Sequence, residues 1–339
     1  MKAYVLHKIN DIRYEDVEYP SCPPDWAIVR VKAAGICSSD IPRILTKGTY
    51  HYPLIPGHEF SGIVEKVSNS DKNGKLVGKR VSVFPLIPCF QCQLCQNHQY
   101  EMCEHYDYIG SRRDGAFAEY VSVPIWNLLE LPDDINFEEA AMLEPLAVSL
   151  HAVKQMDIKE TDDVAIIGTG MIAFASAQLA LLLGAKSASI IARSNNKKKI
   201  ADSLSNVKYI SDPDCSLQFE KTLEAVGSNQ SIRRCIELTK PKGKIVLMGN
   251  PEGDIILQQD VYWRILRKQI TVSGTWNSSY DNGSYNDWLE MLSLISDRRI
   301  DLHALITHTF HQSELNDALR LMKEHIEPYC KVMTLWNEE

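Results

Sequence analysis

The chain has 339 residues, of which 45% are hydrophobic and 24% are charged, and this is the composition of an ordinary folded protein. Its length allows two domains, each with its own core. The formal net charge of −8 argues against nucleic acid or an anionic membrane surface as the main partner, although a single pocket can still be basic.

The first 150 residues are mostly short apolar runs separated by proline and glycine, such as AYVLH, WAIVRVKAAGIC and AFAEYVSVP. A series of short strands of this kind predicts a compact β domain of the barrel type. The N-terminal segment lacks the apolar centre of a signal peptide, and the chain contains nine cysteines. We therefore expect a reducing, cytoplasmic location.

Three segments of this region carry side chains that bind zinc in other proteins. GICSSD contains Cys37, PGHEFSG contains His58, and LEPLAVSLHA contains Glu144. Three protein ligands and a water molecule form a catalytic zinc site with an open position. A histidine after a turn is more often an ordinary core or surface residue, so each segment alone is weak evidence. Their combination predicts a catalytic metal site.

Four further cysteines lie within the lobe of residues 86–106, with the spacing C-x2-C-x2-C-x7-C. They are Cys89, Cys92, Cys95 and Cys103. Four thiolates close a tetrahedral shell around zinc and leave no position for water or substrate. An iron–sulfur cluster or two disulfides would use the same residues, but disulfides require an oxidising compartment. The spacing favours a structural zinc ion.

From about Asp163 onward, apolar β-type runs alternate with helical patterns, which predicts a parallel sheet with right-handed crossovers. Residues 164–185 carry no charge and are long enough to span a membrane. They divide, however, into a β-rich run, a Gly-x-Gly turn and an Ala/Leu-rich run. This pattern favours a buried strand followed by a buried helix.

The turn within IIGTGMIA is typical of dinucleotide-binding sites. Gly168 and Gly170 would let the backbone approach a pyrophosphate at the start of a helix, and Ala173 occupies the third position. The residues assigned to the cofactor in this region and beyond are Gly168, Gly170, Met171, Ile172, Val226 and Gly249.

The residues that would contact the cofactor's ribose lie in SIIARSNNKKK. An NAD-binding chain has Asp or Glu here to hold the ribose 2′-hydroxyl, but this chain has Ala192 followed by Arg193 and Ser194. Arg193 and Lys197 could pair with a 2′-phosphate. The sequence therefore predicts a preference for NADP over NAD. Alternatively, Arg193 stacks on the adenine and NAD is bound.

Taken together, these motifs resemble the zinc-dependent medium-chain dehydrogenases along almost the whole chain. The resemblance implies an α/β protein with a GroES-like β-barrel catalytic domain at residues 1–150 and a doubly wound Rossmann domain at residues 151–285. It implies that residues 286–339, which read as amphipathic helices and a closing strand, return to the first domain. It also implies two zinc ions per chain, one of them structural in residues 86–106.

Within this family, the polyol branch is the better match, because it uses Cys, His and Glu at the catalytic zinc. The resemblance implies Cys37, His58 and Glu144 as ligands, with Glu59 exchanging with Glu144 or with water. Asp40 matches the carboxylate that orients the histidine. Ser39 matches the hydroxyl that relays the substrate's proton while hydride passes to the nicotinamide.

Several segments resemble those of dehydrogenases that act on phosphorylated sugar alcohols. Arg43 and the pair Arg112 and Arg113, which follow Ser111, are the predicted phosphate contacts, since guanidinium groups suit bidentate phosphate binding. Trp276 and Asn277 are weaker candidates for the pocket wall. Pentitol phosphates, unphosphorylated polyols and a catalytically inactive zinc-stapled binding protein remain the alternatives. We expect a homodimer or homotetramer that binds neither nucleic acid nor membranes.

Overall fold

The computed structural model describes residues 1–68, 75–211 and 215–336. The chain forms two compact units. The first comprises Met1–Glu144, Ser279–Asp297 and Ile306–Glu339, and the second comprises Pro145–Ser278 and Arg298–Leu305. The predicted limits at residues 150 and 285 lie a few residues from these boundaries, and residues 298–305 belong to the second unit. Among the described residues, no helix has the length and apolarity needed to cross a membrane.

The first unit is built on a mostly antiparallel sheet, which has seven strands in the described part of the chain. Its central strand, Trp26–Ile36, pairs with Glu59–Val67, Tyr120–Pro124 and Lys331–Leu335. The other strands of this sheet are Arg80–Val83, Leu128–Glu130 and Ile306–His311. Two small sheets pair Lys2–Lys8 with Asp11–Asp16 and Leu86–Ile87 with Asp107–Tyr108.

Most helical segments in the described part of the first unit have three to five residues, and two have ten. The segments are Asp40–Pro42, Arg43–Lys47, Gln93–Gln96, Tyr100–Met102, Ile125–Asn127, Phe137–Ala141, Asp287–Ser296, Gln312–Glu314 and Leu315–Glu324. The helix Leu143–Lys154 starts at the end of this unit's first segment.

The C-terminal segment completes the core of the first unit. Leu315 and Val332 are buried in the same cluster as Tyr4, Phe60 and Phe117. Burial of each large apolar side chain stabilises the fold by about 1.5–3 kcal/mol. The chain's last strand, Lys331–Leu335, lies antiparallel to Trp26–Ile36, with Val332 opposite Ile36. This register places Lys331 beside the end of the central strand, where Cys37 follows.

The second unit contains a six-stranded parallel sheet, counted over the described residues. The strands lie in the order Val207–Ile210, Ser187–Ile191, Asp163–Ile167, Phe219–Glu224, Thr239–Leu247, Thr271–Gly274. The helices are Met171–Leu182, Lys198–Asp202, Asn229–Leu238 and Gln259–Lys268. The strand order reverses between the third and fourth of these strands, as in doubly wound dinucleotide-binding domains. The predicted α/β fold class is confirmed, and the uncharged residues 164–185 lie in a buried strand and helix.

Candidate active site

Cys37 follows the central strand of the first unit and is held by a tight turn. The backbone N–H of Cys37 donates to Oδ2 of Asp40 at 3.1 Å, and the N–H of Asp40 donates to the carbonyl of Cys37 at 3.0 Å. Asp40 itself is fully buried. These reciprocal hydrogen bonds fix the backbone of Cys37 at the end of the strand.

Asp40 also faces two cationic or titratable groups. Its Oδ1 lies 3.4 Å from Nδ1 of His58 and accepts a hydrogen bond from Nη1 of Arg43. Burial alone would raise the pKa of Asp40, but His58 and Arg43 lower it. Burial opposes protonation of His58, yet the Asp40 charge outweighs it and raises the His58 pKa. Because Asp40 lies on the Nδ1 side of the ring, the opposite nitrogen, Nε2, is the one that faces away from this carboxylate and suits a metal ion.

Glu59 is the first residue of the strand that pairs with the central strand, and its side chain is buried. Its Oε2 accepts a hydrogen bond from Nζ of Lys331, which is buried as well and also contacts the carbonyl of Ile36 at 3.4 Å. Burial opposes the charge on Lys331, but Glu59 raises the Lys331 pKa. Gly35 opposite provides the space, since a Cβ there would lie 2.4 Å from Oε2 of Glu59.

Glu144 lies at the start of the helix Leu143–Lys154 and is 7% exposed. Its Oε1 accepts a hydrogen bond from the Tyr108 hydroxyl at 3.1 Å. Burial, with a further contribution from the negative charge of Glu59, raises the pKa of Glu144 to about 7. Burial and the Glu144 charge raise the Tyr108 pKa. Tyr108 also contacts His58, with the ring centroids 5.8 Å apart.

The side chains of Cys37, His58 and Glu59 fit a metal ion. One ligand atom from each lies within 4.8 Å of the others, and a sulfur, a nitrogen and an oxygen form a donor set that zinc accepts. Within the described part of the chain, this group includes Glu59 and not Glu144. The geometry therefore favours the exchange alternative, with Glu59 as the third ligand and Glu144 close by.

The cysteine quartet also comes together. Cys89, Cys92, Cys95 and Cys103 place their sulfur atoms within 4.8 Å of one another. Three of the separations are 3.6, 3.9 and 4.0 Å, much longer than the ~2.05 Å of a disulfide. Backbone N–H groups lower the pKa of Cys92 to about 6, while burial raises that of Cys95. The group suits a closed shell of four thiolates, as predicted for structural zinc.

Aromatic rings pack the lobe of residues 86–106, which contains the four cysteines, against the rest of the first unit. The ring of Trp126 lies 5.0 Å from Phe90, 5.2 Å from Tyr100 and 5.0 Å from Tyr280. The Tyr280 hydroxyl donates to the carbonyls of Trp126 and Leu128 at 3.0 and 3.2 Å. The lobe is therefore packed on the segment Ser279–Asp297 that returns from the second unit.

In the second unit, the predicted pyrophosphate turn has the expected backbone. Gly168 has φ of +138°, which favours glycine, and Gly170 is the N-cap of the helix Met171–Leu182, which begins with Met171 and Ile172. A Cβ on Gly170 would meet no atom within 4 Å, so the backbone there is open to a ligand. Val226 is 49% exposed and lines a cavity of about 380 Å³, and Gly249 lies close behind it.

The predicted ribose-binding residues follow the strand Ser187–Ile191 on a single turn. Arg193 is exposed, and the carbonyl of Ser194 accepts a hydrogen bond from the Tyr209 hydroxyl at 2.7 Å. Lys197 is the N-cap of the short helix Lys198–Asp202. Arg193, Ser194 and Lys197, the three residues predicted to contact the ribose, therefore lie together on this turn at the carboxyl edge of the sheet.

The predicted phosphate contacts have different surroundings. Arg112 lies between the rings of Tyr50 and Tyr106, at 4.6 and 4.1 Å, and Ser111 beside it is buried. Arg113 pairs with Asp107 at 2.8 Å and lies over the Trp26 ring at 4.8 Å.

Arg112 and Arg113, which were predicted to act as a pair, direct their side chains to different partners in this turn, and their contact with phosphate stays a prediction. Arg43 lies beside Asp40 at the candidate metal site. Trp276, which is 53% exposed, and Asn277 belong to the second unit.

Two residues of the site could not be identified from the sequence. Lys331 is the first residue of a mostly apolar strand, a position where lysine usually faces solvent, and Tyr108 lies in a segment rich in tyrosine. Only the strand pairing that joins the C-terminal strand to the central strand reveals the role of Lys331. Ser39 is half-buried and precedes Asp40, and its relay role stays a prediction.

Two family models match the chain: the alcohol dehydrogenase GroES-like domain over residues 23–133 and the zinc-binding dehydrogenase domain over residues 168–297. Galactitol 1-phosphate 5-dehydrogenase of Escherichia coli (strain K12) is 34% identical over 90% of this chain and 91% of that protein. A crystal structure of galactitol-1-phosphate dehydrogenase from Escherichia coli covers 99% of this chain and 100% of its own, with a TM-score of 0.91 and 33% identity.

Other relatives widen the range of substrates and cofactors. L-idonate 5-dehydrogenase of Vitis vinifera is 28% identical over 94% of this chain and 90% of that protein. A zinc-binding dehydrogenase structure from Sinorhizobium meliloti 1021, bound to NADP, has a TM-score of 0.87 and 26% identity, with 98% of each chain covered. The fold, the two groups of candidate metal ligands and the similarity over nearly the full length all point to the same family. The chain belongs to the zinc-dependent medium-chain dehydrogenase/reductase family and is an NAD(P)-linked oxidoreductase of the polyol and alcohol dehydrogenase type.

Proposed function

We propose that the chain oxidises a secondary hydroxyl of a phosphorylated sugar alcohol to the corresponding ketose phosphate. Galactitol 1-phosphate, which would give tagatose 6-phosphate, is the first substrate to test. The observation that carries this proposal is the position of Arg43, whose guanidinium pairs with the same buried Asp40 that contacts Cys37 and His58. The similarity to galactitol 1-phosphate 5-dehydrogenase supports it as well.

Arg43 has the properties of a phosphate contact at the metal site. Its side chain is 19% exposed, and one of its terminal nitrogens is engaged by Asp40. A guanidinium has five N–H donors, so Arg43 can bind Asp40 and a phosphate oxygen together. Arg112, held between two tyrosine rings of which Tyr50 is 70% exposed, is the second candidate.

Different residues of the chain would bind the metal, orient its histidine ligand and relay the substrate's proton. When bound by Cys37, His58 and Glu59 or Glu144, zinc would supply Lewis-acid polarisation of the substrate hydroxyl. Asp40 orients His58, and Ser39 relays the hydroxyl proton towards solvent. An oxidised nicotinamide dinucleotide, held by Gly168, Gly170 and Val226 when bound, would supply the acceptor for the hydride from the carbon that bears the hydroxyl. The alcohol thus loses one proton and one hydride and becomes a ketone.

We propose NADP as the preferred cofactor. Arg193, Ser194 and Lys197 stand on one turn, where a family member that prefers NAD would carry a carboxylate, and Tyr209 fixes this turn through Ser194. The test compares kcat/KM for NADP and NAD, first in the unaltered protein and then in Arg193→Ala. A tenfold preference of the unaltered protein for NAD would end this proposal.

The substrate is tested by measuring the oxidation of a panel of polyols and their phosphates through the absorbance of the reduced nicotinamide. Arg43→Ala should lower kcat/KM for the phosphorylated substrate by about one to two decades, since a hydrogen bond to a charged group contributes roughly 1.5–3 kcal/mol. The unphosphorylated polyol should change much less. Arg113→Ala is the matched control, because its guanidinium is held by Asp107 and Trp26, and should affect both substrates equally. Equal effects of Arg43→Ala on both substrates would remove Arg43 from the phosphate site.

The metal content distinguishes the enzyme from the alternative, a catalytically inactive binding protein that holds only the structural zinc. We propose two zinc ions per chain, one at the quartet and one at the group of Cys37, His58 and Glu59. An unaltered protein that is inactive on the whole panel and holds a single zinc, which Cys37→Ser does not remove, would favour the binding protein.

A further inference from the structure

A buried carboxylate stands at the carboxyl edge of the second unit's sheet, outside the residues assigned so far. Glu224 ends the strand Phe219–Glu224 and is 1% exposed. Its Oε1 accepts two backbone hydrogen bonds, from Val226 at 2.9 Å and from Gly227 at 2.8 Å. The side chain thus folds the residues that follow it into a tight loop around one oxygen atom.

The backbone of Glu224 holds a second loop. Its carbonyl accepts hydrogen bonds from Met248 at 3.0 Å and from Gly249 at 3.1 Å, just after the strand Thr239–Leu247. The two loops are in direct contact. A Cβ on Gly249 would lie 2.0 Å from the nitrogen of Gly227 and 2.5 Å from Oε2 of Glu224. Only glycine fits between them.

The same loop touches the pyrophosphate turn. The N–H of Ala225 donates to the carbonyl of Ile167 at 3.1 Å, and a Cβ on Gly168 would lie 3.2 Å from Cγ2 of Val226. The loops after three neighbouring strands therefore meet around Glu224. The strand order reverses between two of these strands, and doubly wound sheets bind dinucleotides at that point.

We propose that Glu224 is a positioning residue for the dinucleotide cofactor. It does not touch the cofactor; it holds the loop of residues 225–228 against Gly168, so that Val226 and the glycine turn keep the shape that the cofactor needs. Without this acceptor, two backbone N–H groups would lose their partner, and the loop would turn towards water. The inference rests on the cofactor positions proposed above.

The experiment measures dissociation constants of NADH and NADPH by fluorescence titration, together with the melting temperature. Glu224→Ala should raise both dissociation constants by about tenfold to a hundredfold, as expected when two ordinary hydrogen bonds that hold the loop in its binding conformation are lost. Glu224→Gln keeps one oxygen that can accept both N–H groups, so it should stay within about threefold of the parent. At saturating cofactor, the KM for the polyol should be unchanged in both.

Thr222→Val is the matched control for a purely structural effect. Thr222 lies in the same strand, is fully buried, and its hydroxyl is 2.9 Å from that of Thr239. The valine variant should lower the melting temperature without changing either dissociation constant. If Glu224→Ala fails to fold, Gly249→Ala pushes the same loops apart and should weaken cofactor binding at least tenfold.

A folded Glu224→Ala or Gly249→Ala variant that binds both cofactors within twofold of the parent would overturn the positioning role. Glu224→Gln that binds as weakly as Glu224→Ala would overturn it too, because the geometry of the acceptor would then not be the cause. Failure of the unaltered protein to bind either dinucleotide is a different result, and it would refute the cofactor proposal together with this one.

Discussion

Replacement of Lys331 by methionine tests whether the buried ion pair with Glu59 supports the candidate metal site. The two side chains are 5% and 1% exposed, so solvent does not screen the pair. Methionine keeps most of the volume and removes the charge. The carboxylate of Glu59 would then be buried without its cation.

Loss of one partner of a buried ion pair typically costs about 3–5 kcal/mol, which is a large part of the roughly 5–15 kcal/mol that stabilise a folded protein. We expect this loss in protein stripped of metal by a chelator, measured by urea unfolding. Zinc-loaded protein should lose less, because a metal ion held by Glu59 compensates the same charge. Lys331→Met combined with Glu59→Gln should recover most of the stability of the stripped protein.

Lys79→Met is the control, since Lys79 pairs with Glu130 where the side chains are 46% and 54% exposed. That pair should contribute less than about 1 kcal/mol. If Lys331→Met unfolds at the same urea concentration as the parent, or if Glu59→Gln does not relieve the loss, the pair does not carry the stability assigned to it.

Three further predictions concern the two metal groups and pH. Cys37→Ser should abolish turnover while the fold and one zinc remain, and retained activity with normal metal content would contradict this assignment. Cys95→Ser should lower the melting temperature rather than act directly on catalysis, because a closed zinc shell contributes directly to folding. A melting curve like that of the parent would rule out a structural zinc ion at the quartet. The Glu144 pKa is raised from 4.5 to about 7, so its neutral form is favoured in the folded state. Metal-stripped protein should therefore lose about 3 kcal/mol of stability between pH 4.5 and pH 8, as the proton leaves Glu144. Glu144→Gln should remove most of this loss, and an unchanged pH profile would contradict it.

The sequence was sufficient for the features that depend on local pattern. Alternation of strands and helices after Asp163 predicted the parallel sheet, and the segments around Cys37 and His58 predicted residues that come within metal-binding distance. Both follow from short-range rules: the period of apolar residues, and ligand side chains placed next to turns.

The rest depended on long-range geometry. Lys331 reaches Glu59 only because the last strand pairs with the central strand in one particular register. The choice between Glu59 and Glu144 depends on side-chain direction, which residue order does not determine. Arg112 and Arg113 are neighbours in the chain, but the backbone turn sends one to tyrosine rings and the other to Asp107.

The charges around the candidate metal site give a reason for its two cations, the partly buried Arg43 and the buried Lys331. Above pH 7, where Glu144 has lost its proton, the anions are the carboxylates of Asp40, Glu59 and Glu144 and the thiolate that Cys37 must form to bind a metal, and the cations are Arg43 and Lys331. With neutral His58, this leaves two negative charges in a largely buried cluster, and a single divalent cation cancels them. Buried charge is tolerated only when it is compensated, so the loss of either cation would leave the metal-loaded site with one excess negative charge. Arg43 and Lys331 are therefore expected to determine how tightly the site holds zinc, so the two substrates of Arg43→Ala must be compared in protein saturated with zinc.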